Sequence, residues 1–164
     1  MTHRNPTPSR PDVPETYGIA AELGDDPIPW SRIDEKLAAA RNYWISSTRP
    51  DGRPHAMPVW GIWLDGTLVF STGRASRKGR NIAANPALSV HLESGDDVVV
   101  IEGVAAEERD AALLARYVDA YGAKYAFRPD PSNPGEVTYA LRPNVAFAWL
   151  ESDFPASATR WTFK

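Results

Sequence analysis

Residues 70–86, FSTGRASRKGRNIAANP, run from an apolar, strand-like segment through Gly73 into a short helix opened by Ser76. A helix N-terminus leaves backbone N–H groups without partners and carries partial positive charge, so it is an anion site in waiting. Here Arg74, Arg77, Lys78 and Arg80, four of the chain's eighteen Lys and Arg residues, fall within seven positions. Ser76 either caps the helix or offers its hydroxyl to the same anion. The plain alternative is a solvated cationic face, as most charge clusters are. The strand, the glycine turn, the capped helix and the closing Asn85-Pro86 together favour a bound phosphate. Known nucleotide loops are excluded. Gly73 and Gly79 have the spacing of a P-loop, but Arg80 replaces its lysine, no Ser or Thr follows, and no G-x-G-x-x-G occurs anywhere.

A chain of 164 residues is long enough for one well-packed domain. No segment has the length and apolarity of a membrane-spanning helix, and the N-terminus lacks the apolar core of a signal peptide, so a cytoplasmic protein is expected. Without cysteine there is no disulfide, thiolate metal site or thiol nucleophile. His3, His55 and His91 lack metal-ligand spacing, and no metal is expected. A net charge of −3 argues against nucleic acid as the main partner and leaves the local basic cluster for a small anion. Six tryptophans are many for this length; some belong to the core, and Trp also forms the flat apolar walls that ring systems need.

Residues 1–29 hold six of the fifteen prolines and little periodicity, which predicts an arm whose first dozen residues are disordered or loosely draped, ahead of a domain over 30–164. Ser31 has the character of an N-cap, with Ile33, Leu37 and Ala40 on one face of a helix reaching about Arg41. Strands are predicted over 43–48, 54–63 and 67–72, joined by the turns Pro50-Asp51-Gly52 and Asp65-Gly66, with Pro58 marking an edge, bulge or irregularity. A second hairpin follows over 87–93 and 98–101, with Gly103 at a bulge. An amphipathic helix over 108–121 ends at Gly122, residues 128–135 form a loop, and three last strands fall at 137–141, 145–150 and 158–163. The sum is a mainly β, α+β domain of seven or eight largely antiparallel strands and three peripheral helices, closed or split as a barrel.

In order and content, these turns, F-S-T, S-R-K and N-P resemble the pyridoxamine 5′-phosphate oxidase-like family of split β-barrel flavoproteins, some of which bind the deazaflavin F420. The likeness covers residues 31–164 and is strongest over 70–86, with support from Trp149 and from Ala158-Thr159-Arg160-Trp161. It implies a homodimer that binds FMN or F420. The cofactor phosphate would lie on Ser76, Arg77 and Lys78, with Asn81 in the same pattern and Ser71 and Thr72 beside it. The backbone of Met57, Pro58, Val59 and Trp60 would run along the ring. Trp149 and Arg160 would come from the chain end, across the dimer. Met57 and Ile62 stand where the oxidase has Arg and Lys, Val98 where it has Gln, and Ala156 and Ala158 where it has the Arg and His that grip its substrate. An apolar side chain cannot replace a guanidinium on a phosphate, so oxidation of pyridoxamine phosphate itself is not expected. FMN and F420 both stay open.

No nucleophile–base–orienter set is visible, and no catalytic residue is assigned; in flavin chemistry the ring carries the hydride. The implied function is hydride transfer to or from a small organic substrate, or else a non-catalytic flavin-, F420- or haem-binding module. Trp60 and Trp63, on one predicted strand, divide between core and cofactor wall. Tyr117 and Tyr121 read as packing, Asp96-Asp97 as a solvated turn, and His55 borders the proposed cofactor strand.

Overall fold

The computed structural model describes residues 6–20, 22–24 and 27–164. The remainder of the predicted arm, His3 included, lies outside the described residues. Nine strands pair antiparallel throughout: β1 (Thr7–Ser9), β2 (Tyr43–Thr48), β3 (Pro54–Val59), β4 (Ile62–Leu64), β5 (Thr67–Gly73), β6 (Ala87–His91), β7 (Asp97–Glu107), β8 (Glu136–Leu150) and β9 (Thr159–Thr162). Four helices accompany them: α1 (Trp30–Ala39), α2 (Arg77–Ala84), α3 (Ala111–Tyr125) and the single turn α4 (Phe154–Ser157).

The main path runs β1-β9-β8-β7-β6-β2-β3, and β5 with β4 branches from β8. The sheet is therefore open, which removes the closed-barrel form and retains the split one. A single strand makes the fork. β8 pairs with β5 over its first part and with β9 over its last, while β7 accompanies it from Tyr139 to Leu150. Two short strands predicted over 137–141 and 145–150 are thus one, because Pro143 is absorbed by a bulge opposite Glu102 and Gly103. At that bulge a Cβ on Gly103 would sit 2.2 Å from the Arg142 carbonyl oxygen, so the predicted bulge glycine is required sterically.

The main core lies inside the sheet, between Ile33 and Leu37 of α1, Tyr43 and Ile45 of β2, Phe70 of β5, Ile82 of α2, Ile101 of β7 and Trp161 of β9. A smaller core fills the space under α3, where Tyr117, Tyr121 and Tyr125 cover Ile62, Val69 and Ala140. Strand β5 is consequently buried on both faces, and its apolar run does not alternate.

Three boundaries differ from expectation for local reasons. Helix α1 starts at Trp30 behind Pro29, not at a Ser31 cap, because Trp30 packs edge-on against Trp161 and Phe163. Helix α3 starts behind Asp110, whose carboxylate accepts from Leu113 N–H at 2.9 Å, and it passes through Gly122 to end at Ala126 in the left-handed conformation. Within the proline-rich arm, residues 7–9 add an edge strand to β9.

Candidate functional site

Strand β5 delivers the chain to α2 through a tight turn. Ser76 is the N-cap, as expected, its hydroxyl accepting from Gly79 N–H at 3.0 Å and lying 3.1 Å from the Thr72 hydroxyl. Gly79 is there for contact, not for a P-loop. A Cβ at this position would lie 2.4 Å from the Gly73 carbonyl oxygen and 2.8 Å from that of Arg74. The first turn of α2 is thereby pressed against the end of β5, with Ser76, Thr72 and the N–H groups of Arg77 and Lys78 at one place.

The four cations of the cluster divide in two. Arg74 is paired with Glu107, whose carboxylate is held below its usual range chiefly by that hydrogen bond. Arg80 donates to the Ala75 carbonyl. Arg77 and Lys78 make no ion pair among the described residues. Lys78 is half-buried, and desolvation pulls its pKa down from the ordinary lysine value. A partly buried ammonium without a counter-charge is the arrangement an anion would stabilise.

Asn81 joins the cluster to the sheet. It is fully buried, donates to the Ser47 hydroxyl at 3.1 Å, and has a side-chain oxygen without a hydrogen-bond partner. Of the residues singled out from sequence, Thr72, Ser76, Arg77 and Lys78 are thus gathered at the start of α2, while Asn81, further along the helix, is turned inward to Ser47.

Ser71 is not among them. Strand alternation turns it to the opposite face, where its hydroxyl meets Thr138 at 2.8 Å and Tyr117 at 3.1 Å.

Met57, Pro58 and Val59 lie on β3, the terminal strand of the sheet path, with Met57 and Pro58 exposed and Val59 buried. Pro58, which has no N–H to give a ladder, is accommodated at this edge. The strand predicted over 54–63 breaks at Trp60-Gly61. There the Tyr125 hydroxyl accepts from Gly61 N–H at 3.1 Å and donates to the Arg41 carbonyl at 2.7 Å. The two tryptophans nonetheless divide, one to the core and one to the surface. Trp63 enters the core and donates to Asp34 at 2.8 Å, while Trp60 stacks on Tyr125 with ring centroids 4.7 Å apart.

Trp149 and Arg160 are not brought to the cluster within one chain. Thr72 pairs with Val137, whereas Phe147 pairs with Arg160, and Trp149 lies two residues further along β8. The interval is roughly 30–40 Å of extended strand. On this distant part of the sheet Val98, Val100, Phe147 and Trp149 are half-buried.

Sequence reasoning did not assign Arg49 or Ser47 to the site. Ser47 meets α2 through Asn81 and pairs with His55 across the β2–β3 hairpin, neither of which a local pattern reports. Among the described residues no helix is long and apolar enough to cross a membrane.

The family model for pyridoxamine 5′-phosphate oxidase covers residues 30–150. A pyridoxine/pyridoxamine 5′-phosphate oxidase of Bacteroides thetaiotaomicron is 32% identical over 125 residues, 68% of this chain and 59% of that protein. The chain spans about 60% of the length of the curated relatives it matches. Among solved structures, a conserved hypothetical protein of Mycobacterium tuberculosis aligns with TM-score 0.66 at 21% identity over 80% of this chain and 89% of its own. An F420 reductase aligns with TM-score 0.56 at 24% identity over 68% and 94%. A heme binding protein of Mycobacterium smegmatis aligns with TM-score 0.59 at 22% identity over 71% and 52%. These structures share the fold. The match over residues 30–150 settles the family: the chain belongs to the pyridoxamine 5′-phosphate oxidase family.

Proposed function

We propose that the protein is an oxidoreductase that holds FMN or F420 by its phosphate at the N-terminus of α2 and passes a hydride to or from a small organic substrate. The observation that carries this reading is the division of the cation cluster. Arg74 and Arg80 are engaged by the protein itself, while Arg77 and Lys78 make no ion pair among the described residues and stand at a capped helix end. Because Ser76 occupies Gly79 N–H, the N–H groups of Arg77 and Lys78 are left for the phosphate, backed by both side chains and the Thr72 hydroxyl. The exposed edge of β3 around Met57 and Pro58 offers backbone to the ring, and Val59 anchors that edge in the core. A bound flavin or deazaflavin would supply the hydride chemistry itself; the chain supplies binding, orientation and exclusion of water.

Trp149 and Arg160 complete the site from the second subunit of a homodimer in this reading. Their distance from α2 along β8 supports it, as does the partly exposed apolar surface of Val98, Val100 and Phe147 on the same part of the sheet. Pyridoxamine phosphate is not the substrate we propose, since Ala156 and Ala158 offer its phosphate no charge. Those two alanines also favour the second reading, a binding module without turnover. Anaerobic mixing of the protein, loaded with reduced cofactor, with added acceptors separates the two. Acceptor reduction faster than by free cofactor supports the oxidoreductase, and rates equal to those of free cofactor support the module.

A further inference from the structure

The β2–β3 hairpin carries polar atoms that packing leaves unexplained. Ser47 and His55 are cross-strand partners, so their side chains leave the same face of the hairpin. On that face Ser47 meets Asn81 of α2. Arg49, two residues beyond Ser47, continues the face past the end of β2. Three buried atoms there have no hydrogen-bond partner: Nε of Arg49, Nδ1 of His55 and Oδ1 of Asn81. Buried polar atoms are nearly always satisfied, and three on two elements packed together mark a place shaped for something else.

The charge around them names its class. Burial first, then the charges of Arg49 on the hairpin and of Lys78 and Arg77 on α2, hold the His55 pKa below the ordinary imidazole value. The carboxylate near this group is Asp51, and it is already bound by Arg53 at 2.7 Å. Burial and these three cations together disfavour the charged form of the imidazole. Resting on the reading of Arg77 and Lys78 as a phosphate site, we infer that Arg49 and His55 form its second wall, and that phosphate binding is accompanied by uptake of one proton from solvent at His55. The arriving negative charge offsets the three cations, the imidazole becomes imidazolium, and Nδ1 gains a proton to donate to a phosphate oxygen. Because the bound state holds His55 at the higher pKa, affinity rises as pH falls through that pKa and levels off below the pKa of the free protein.

Calorimetric titration of the protein with FMN and with F420, at about pH 6.5 in buffers of different ionisation enthalpy, counts the protons taken up. The phosphate of FMN titrates alike with wild type and with His55→Gln, so the difference between them belongs to His55. Greater uptake by wild type, with a roughly tenfold or larger loss of affinity in Arg49→Gln, is expected. Equal uptake in wild type and His55→Gln, or unchanged affinity in Arg49→Gln, overturns the inference while binding that depends on Arg77 and Lys78 leaves the phosphate site standing. Failure of wild type to bind either cofactor overturns both.

Discussion

The wholly buried Asn81 donates its side-chain amide to the Ser47 hydroxyl at 3.1 Å, tying α2 to β2 from inside the molecule. Ser47 in turn donates to the His55 carbonyl at 3.3 Å, so helix, strand and hairpin share one polar link. The link matters because α2 buries a single large apolar side chain, Ile82. Burial of such a residue stabilises by about 1.5–3 kcal/mol, which is little to hold a helix in place.

Exchange of Asn81 for Ala removes the tie and leaves Ser47 with one partner fewer. The expected loss is about 1–3 kcal/mol, read as a lower urea midpoint with an unchanged slope. Weaker cofactor binding should accompany it. An unchanged midpoint would show that α2 is held by packing alone.

Gly79→Ala tests the close approach of α2 to β5. In an ordinary helix this change gains up to about 1 kcal/mol. Here the new methyl would meet two carbonyl oxygens at 2.4 and 2.8 Å, so the sign reverses. Lower thermal stability and loss of cofactor affinity are expected together. A stabilised variant would mean that the turn at Gly73 yields freely.

Acid should loosen α1 from the sheet. Asp97 accepts from Lys36 at 2.6 Å and from Arg32 at 2.7 Å. Burial pushes its pKa upward, but the hydrogen bonds and charges of Arg32 and Lys36 outweigh this and hold it below the ordinary carboxylate value. A depressed carboxylate pKa contributes stability above the unfolded value, about pH 4, and that contribution is lost as pH falls through the folded pKa. Denaturant midpoints measured from pH 6 downward should fall less in Asp97→Asn than in wild type. Parallel curves would assign the acid sensitivity elsewhere.

What the sequence disclosed follows from the range of the forces involved. The Ser76 cap, the Gly103 bulge and the Ile33–Leu37 face are local, and each stands where its pattern placed it. The break at Trp60-Gly61 was hidden because its cause, Tyr125, is sixty-four residues further on. The union of two strands into β8 was hidden by Pro143, an ordinary strand breaker that a bulge accommodates. Asp97 read as a turn carboxylate because its partners lie on α1. In the site, the helix end was legible as charge and capping, whereas the separation of Ser71 from Thr72 required knowing that both faces of β5 are covered. The pairing of Ser47 with His55 required the register of a different hairpin.

The most direct test of the central claim is a visible-absorption titration with FMN and F420 of wild type, the double variant Arg77→Ala, Lys78→Ala, and Arg74→Ala. The account predicts saturable binding of one cofactor by wild type, a loss of roughly a hundredfold or more in the double variant, and little change in Arg74→Ala, whose cation already serves Glu107. Equal affinity in wild type and the double variant, or no binding of either cofactor by wild type, would contradict it.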